Sequence, residues 1–355
     1  MDASRRAVLA TAAAVLGVIA VPVAGLAQQP AGGVAGPSGL AIAGAGATFP
    51  APLYERWIAA YKAERGVAVT YQSVGSGEGV KRFLAGTVDF GASDEVLSAA
   101  DAVKVPGGAV AVPVTAGMIV VAYNQPGLGG ALKLPRDVYV GIFAGTITRW
   151  DDPRIKAANP GLKLPARDIA LIARRDSSGT TAAFTRHLAA ADPAWRSAGL
   201  VAGKMVAWPG RAMLAAGNEG VAARIKMSEG AIGYVEYGFA RRLGLPVATL
   251  QNRSGSFVAP SAEAAQLALS ARSGQAGELE ASVVDPTAAN AYPIVSYSWL
   301  FLYRTPRDAA KGRAARDFVA WGLTRGQSLG GELGYVPLTA DIVSLGREAL
   351  DTVSH

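Results

Sequence analysis

Residues 40–74 read LAIAGAGATFPAPLYERWIAAYKAERGVAVTYQSV, and their hydrophobic pattern changes period along the way. Leu40 to Ala43 is a short apolar run, and Gly44 to Pro50 is a turn of small residues that carries the Thr48 hydroxyl. From Pro50 to Glu64, Leu53, Trp57, Ile58 and Tyr61 recur at helical spacing with charge between them; Val67 to Val74 then alternates as a strand does. The rest of the chain repeats this trade. Gly79 to Ala85 reads as a helix, Val88 to Ala92 as a buried strand, and Gly108 to Tyr123 as one or two long valine-rich strands. Further helical patterns lie at Arg136 to Ala144, Thr180 to Ala190, Gly220 to Ile225, Ser261 to Arg272 and Ala314 to Trp321. Strand patterns lie at Ile169 to Ala173, Ala231 to Val235, Val247 to Leu250 and Val295 to Tyr303. Such alternation predicts an α/β fold with mainly parallel sheets covered by helices. No internal repeat is visible.

A chain of 355 residues suggests two domains. Half of it is apolar and only 17% is charged, which excludes global disorder. With no cysteine, the chain has no disulfide, thiol nucleophile or cysteine zinc site, and no cysteine to lipidate. With two histidines, His187 and His355, it has almost no material for a histidine-rich metal site or a Ser-His-Asp triad. The net charge of +7 rests on 34 basic side chains, most of them arginine, whose planar forks suit carboxylates and phosphates. An anionic partner is therefore expected, and the lack of basic runs interleaved with aromatics argues against nucleic acid.

Residues 1–27 combine Arg5 and Arg6 with an uncharged apolar stretch from Ala7 to Ala27, the pattern of an export signal. The paired arginines suit a twin-arginine or an ordinary Sec signal, and small residues at Gly25 and Ala27 permit cleavage before Gln28. An uncleaved membrane anchor is the alternative, weakened by Pro22. Removing these residues leaves the charge near +6, so the basic excess belongs to the body of the protein. Residues 28–39, rich in Gly, Pro and Ala, read as a flexible linker.

In an open α/β sheet, ligands bind beyond the carboxyl ends of strands, where helix N-termini offer free N–H groups to anions. Three strand-to-helix turns here carry glycines and hydroxyls: Gly44 to Pro50, Gly75 to Gly79, and Arg174 to Thr181. Each alone reads as a helix cap. Three together, one beside an arginine, point to an oxyanion site. Asp94 closes a fourth segment, Phe90-Gly91-Ala92-Ser93-Asp94, where it reads locally as a turn or cap residue. Inside an anion pocket, an ionised carboxylate only accepts hydrogen bonds. It would welcome a protonated phosphate and oppose sulfate, lone pair against lone pair.

These segments, with Trp150-Asp151-Asp152, Asn159-Pro160-Gly161-Leu162 and Gly230 to Tyr237 in the same order, resemble the periplasmic phosphate-binding protein of the phosphate-specific ABC importer, from about residue 40 to near the C-terminus. The resemblance implies a two-lobed periplasmic-binding-protein fold closing on one dehydrated phosphate, with two chain crossings near Val121 to Asn124 and Ala289 to Ile294. Lobe 1 would be 40–121 with 291–355, and lobe 2 would be 122–290. Carried over residue by residue, Thr48 and Phe49 donate from the first loop, Ser76 from the second, and Asp94 accepts the ligand's proton. Arg174 is the phosphate-binding arginine with Asp176 orienting its guanidinium, and Ser178, Gly179 and Thr180 donate at a helix N-terminus. The implied protein is periplasmic, monomeric and free of metal or cofactor, and it hands inorganic phosphate to a membrane permease without chemistry.

Two departures stand out. Glu78 replaces the family's usual Gly or Ser, and is expected on the solvated face of its helix; Met213 to Ala216 replaces a more glycine-rich stretch. Three other readings compete. One is a binder of another oxyanion. A second is a phosphate-ester hydrolase with Ser178 as nucleophile, which lacks an evident base. The third is a surface interaction protein, which would tolerate loss of Arg174 and Asp94. Trp57, Trp299 and Trp321 read as core, His187 as a surface or capping residue, and Arg241-Arg242 as a solvated helix end.

Overall fold

The computed structural model describes residues 39–354 apart from 129, 211 and 270–275, so the export signal, nearly all of the linker and His355 lie outside the described residues. The strands are β1 (Ala41–Gly46), β2 (Ala68–Ser73), β3 (Phe90–Ser93), β4 (Ala109–Asn124), β5 (Lys133–Leu134), β6 (Ala170–Arg174), β7 (Met213–Ala215), β8 (Ala231–Glu236), β9 (Thr249–Gln251), β10 (Phe257–Val258) and β11 (Val295–Tyr303). The helices are α1 (Ala51–Arg65), α2 (Ser76–Leu84), α3 (Ala99–Ala102), α4 (Arg136–Phe143), α5 (Pro153–Ala158), α6 (Gly179–Ala191), α7 (Ala194–Ser197), α8 (Gly217–Met227), α9 (Tyr237–Arg242), α10 (Ala262–Leu269), α11 (Ala276–Ser282), α12 (Ala309–Gly322) and α13 (Ala340–Leu350).

Eight strands form one sheet in the order β2-β1-β3-β11-β4-β8-β6-β7, and β10-β9-β5 form a smaller one. The valine-rich run is a single strand. Its first part, Ala109 to Met118, pairs with β11, and Ile119 to Asn124 pairs with β8, so β4 serves both halves of the sheet. It is apolar on both faces and buried almost throughout, as a central strand must be.

The sheet corrects one expectation. Its wings are parallel, β2-β1-β3 on one side and β8-β6-β7 on the other, but β3-β11, β11-β4 and β4-β8 are antiparallel. Crossover helices enforce parallel neighbours only inside each wing. β4 and β11 carry the chain between the wings, and no crossover fixes their direction.

Each wing has an aromatic core. Trp57 and Tyr61 of α1 meet Phe318 of α12 edge-on, and Trp57 Nε1 donates to Gly326 O at 2.8 Å. On the other side Phe143, Phe184, Trp208 and Tyr234 interlock. Burying one such ring contributes on the order of 2–3 kcal/mol. Trp57, Trp299 and Trp321 are core residues, as their spacing predicts. His187 is not at the surface: it is buried on α6, where Nε2 meets Tyr139 OH at 2.9 Å, and burial pushes its pKa down to about 4.

Candidate functional site

Four helix N-termini converge where the two wings meet. The turn after β1 leads into α1 through Thr48-Phe49-Pro50, and Thr48 is buried. Gly75, held at φ 94, sits at the N-cap position just before α2; a Cβ there would lie 2.5 Å from Asp176 Oδ2, so only glycine lets the second and third loops close on each other. Gly77 N–H donates to Ser177 O at 3.0 Å across that contact. Ser178 caps α6, its hydroxyl oxygen accepting from Thr181 N–H at 3.0 Å. The fourth helix, α8, starts at Gly217-Asn218.

Arg174 ends β6, only 4% exposed, whereas Arg175 points to solvent because strand alternation turns one inward and the next outward. Arg174 Nε and Nη2 fork onto Asp176 Oδ1 and Oδ2 at 2.8 and 2.5 Å. Gly217 N–H donates to Asp176 Oδ1 at 3.0 Å. Burial works to raise the Asp176 pKa, but the guanidinium and this N–H outweigh it and hold the carboxyl below the usual range. One edge of the guanidinium is thereby used. The remaining nitrogen, Nη1, is buried and has no hydrogen-bond partner among the described residues.

Asp94 is 2% exposed at the end of β3. Its Oδ1 accepts from Ser298 Oγ at 2.9 Å and its Oδ2 from Thr180 Oγ1 at 3.2 Å. Burial pushes its pKa up to about 7, against these hydroxyls and the Arg174 charge, which favour the anion. Ser76 Oγ accepts from Gly179 N–H at 3.1 Å and, more weakly, from Asp94 N–H at 3.4 Å. Thus the Gly179 N–H that sequence assigns to the ligand is engaged with Ser76 in this arrangement. A Cβ at Gly179 would lie 2.6 Å from Ser76 Oγ and 2.7 Å from Asp94 Cβ.

The structure brings Thr48, Ser76, Asp94, Arg174, Asp176, Ser178, Gly179 and Thr180 into one hydrogen-bonded cluster, with Phe49 buried beside them and its carbonyl accepting from Tyr335 OH at 2.6 Å. Glu78 turns along α2 to pair with Arg82 at 2.9 Å and Lys81 at 3.7 Å, and Arg82 holds its carboxyl below the usual range. Sequence reading missed three members. Ser298 could have been found as one of two serines alternating through an otherwise apolar strand. Tyr234, whose OH accepts from Arg174 N–H at 3.2 Å, reads simply as core. Asn218 carries the signal of an ordinary cap.

Among the described residues, no group of three or more His, Cys, Asp or Glu side chains is placed to hold a metal ion, and no helix is long and apolar enough to cross a membrane.

The profile of the PBP superfamily domain matches residues 27–325. Phosphate-binding protein PstS of Haemophilus influenzae is 38% identical over 306 residues, covering 85% of this chain and 90% of the relative. The chain belongs to the PstS family. Within that family, PstS of Methanocaldococcus jannaschii is 35% identical over 355 aligned residues, covering 90% of this chain and 88% of its own length. The fold of this chain is also similar to that of solved structures. The high-affinity periplasmic phosphate-binding protein PfluDING, solved with phosphate, superposes with a TM-score of 0.71 at 22% identity, over 87% of this chain and 93% of its own. A putative phosphate ABC transporter substrate-binding protein from Clostridium perfringens, with bound phosphate, gives 0.60 at 16% identity, over 84% and 100%. At these identities the likeness speaks to the fold.

Proposed function

We propose that this protein captures inorganic phosphate between its lobes and releases it unchanged to the membrane permease of an ABC importer. The carrying observation is the pairing of opposite capacities in one buried cluster: Arg174 Nη1 can only donate and has no acceptor, and Asp94, once ionised, can only accept, so a ligand facing both must carry an acceptor and a donor. Phosphate near neutral pH supplies both, because it keeps at least one proton. The PstS names of its relatives support the same ligand.

Thr48, Phe49, Ser76, Arg174, Ser178 and Thr180 would donate to the anion, as would the Gly179 N–H once the ligand takes the place of Ser76 Oγ, Asp94 would take the ligand's proton, and Asp176 holds the arginine fork in place. Lobe 1 is read as 40–121 with 291–355 and lobe 2 as 122–290; the change of partner along β4 between Met118 and Ile119 supports the first crossing. Export through the N-terminal signal would place the protein in the periplasm, acting as a monomer. Ester hydrolysis finds little support, since Ser178 Oγ serves as a helix cap and His187 is engaged with Tyr139. Equilibrium dialysis against phosphate, with protein first freed of bound anion, tests the proposal: one retained phosphate per chain is expected, and none retained overturns it.

A further inference from the structure

Asn218, the second residue of α8, is 1% exposed and makes four hydrogen bonds to three residues far apart in the chain. Its Oδ1 accepts from the backbone N–H of Glu236 at 3.0 Å. A backbone N–H can only donate, so this bond fixes which end of the amide is oxygen and turns the NH2 group the other way. That group donates to Thr48 Oγ1 at 2.9 Å and to Thr180 Oγ1 at 3.2 Å. The backbone N–H of Asn218 donates to Thr48 Oγ1 as well, at 3.1 Å.

A hydroxyl oxygen has two acceptor positions. Both positions on Thr48 are filled by Asn218, so the Thr48 hydroxyl retains only its own hydrogen to offer. Thr180 has one position filled by the same amide while its hydrogen points to Asp94 Oδ2. Resting on the phosphate reading above, we propose that Asn218 is a positioning residue that makes the Thr48 hydroxyl an obligate donor toward the bound anion. Glu236, in the Gly-Tyr-Val-Glu-Tyr segment, enters through its main chain: it locks the amide from behind. On the side chain of Glu236, Oε1 accepts from Gly238 N–H at 2.9 Å and Oε2 has no hydrogen-bond partner among the described residues. An unoriented threonine would spend part of its time presenting a lone pair to the phosphate, which loses a bond and adds repulsion.

The test is a double-mutant cycle of Asn218→Ala and Thr48→Val, read by calorimetric titration with inorganic phosphate alongside the thermal melt of each anion-free variant. Each single variant should bind phosphate about tenfold or more weakly than wild type, as loss of one bond to a charged group implies. In the Thr48→Val background, Asn218→Ala should cost less than about twofold more, because the group it orients is gone. Thr48→Ser, which keeps the hydroxyl, should retain the full dependence on Asn218. If Asn218→Ala does not fold, Asn218→Asp takes its place. It keeps the shape and the acceptor for Glu236 but turns the Thr48 hydrogen toward its own carboxylate; because its charge weakens phosphate in both backgrounds, the readout is then a larger loss with Thr48 present than in the Thr48→Val background, not the size of the residual loss. Wild-type affinity in the Asn218 variant, or equal losses in both backgrounds, would overturn the assignment. A wild-type chain that takes up no phosphate overturns the underlying phosphate reading and this inference with it, so the two failures are told apart by the wild-type titration.

Discussion

Thr180 donates its hydroxyl to Asp94 Oδ2 at 3.2 Å although the two residues lie 86 apart in the chain. With the bond from Ser298 to Oδ1, it makes Asp94 a buried acceptor on both oxygens, and on the proposed reading the charge state of Asp94 decides which anion the site tolerates.

Asp94→Asn should narrow the preference for phosphate over sulfate. An amide at this position can donate to sulfate, whereas the carboxylate cannot. The selectivity ratio from competition titrations should fall about tenfold or more, the order of one charge-assisted bond. An unchanged ratio would reduce Asp94 to a turn residue.

The same group predicts a pH dependence of selectivity. Burial raises the Asp94 pKa to about 7, so below that pH the carboxyl carries its own proton and can donate. Sulfate rejection should therefore be strong at pH 8 and weaken as pH falls through about 7. A flat sulfate affinity from pH 8 to pH 6 would contradict it.

Stability carries the opposite sign from a salt-bridged carboxylate. A carboxyl whose folded pKa lies above its unfolded value of 3.8 favours the folded state most when protonated. That contribution is full below pH 3.8 and is lost as pH rises through about 7. Asp94→Asn should accordingly stabilise the anion-free protein by ~1 kcal/mol or more at pH 8, with the gain shrinking toward pH 4. Thermal melts at the two pH values check this.

The βαβ pattern of residues 40–74 and the capped loops were legible because each is a local signal: small residues permit a turn, and period marks an element. The choice of Arg174 over Arg175 came from the family resemblance, and the structure shows Arg174 buried and Arg175 exposed. The antiparallel centre was not legible, since nothing within β4 or β11 encodes the direction of its partner. Asn218 was hidden for a related reason: its three partners, Thr48, Thr180 and Glu236, are gathered only by the tertiary fold. The burial of His187 was missed because a lone histidine on a helix looks the same in sequence whether it faces water or Tyr139.

Arg174→Ala should weaken phosphate binding by at least about 1.5 kcal/mol, roughly tenfold, because the buried Nη1 donor is lost. Arg174→Lys should not restore it, since an ammonium cannot fork onto Asp176 while presenting a second fixed nitrogen. Wild-type affinity in either variant would remove Arg174 from the site.

Gly179→Ala tests loop closure. The added methyl would meet Ser76 Oγ and Asp94 Cβ at 2.6 and 2.7 Å, so the second and third loops could not approach as they do. The variant should fold, because Gly179 starts a helix, and should bind phosphate at least about tenfold more weakly, the equivalent of one lost bond to the anion. Unchanged affinity would show that this approach is not needed for capture.

The most direct measurement is isothermal titration of anion-stripped mature protein with phosphate and then with sulfate at pH 8. A single phosphate site with no response to sulfate is predicted, from a guanidinium nitrogen with no acceptor set beside a carboxylate that can only accept. Equal binding of both anions, or binding of neither, would contradict that account of the site.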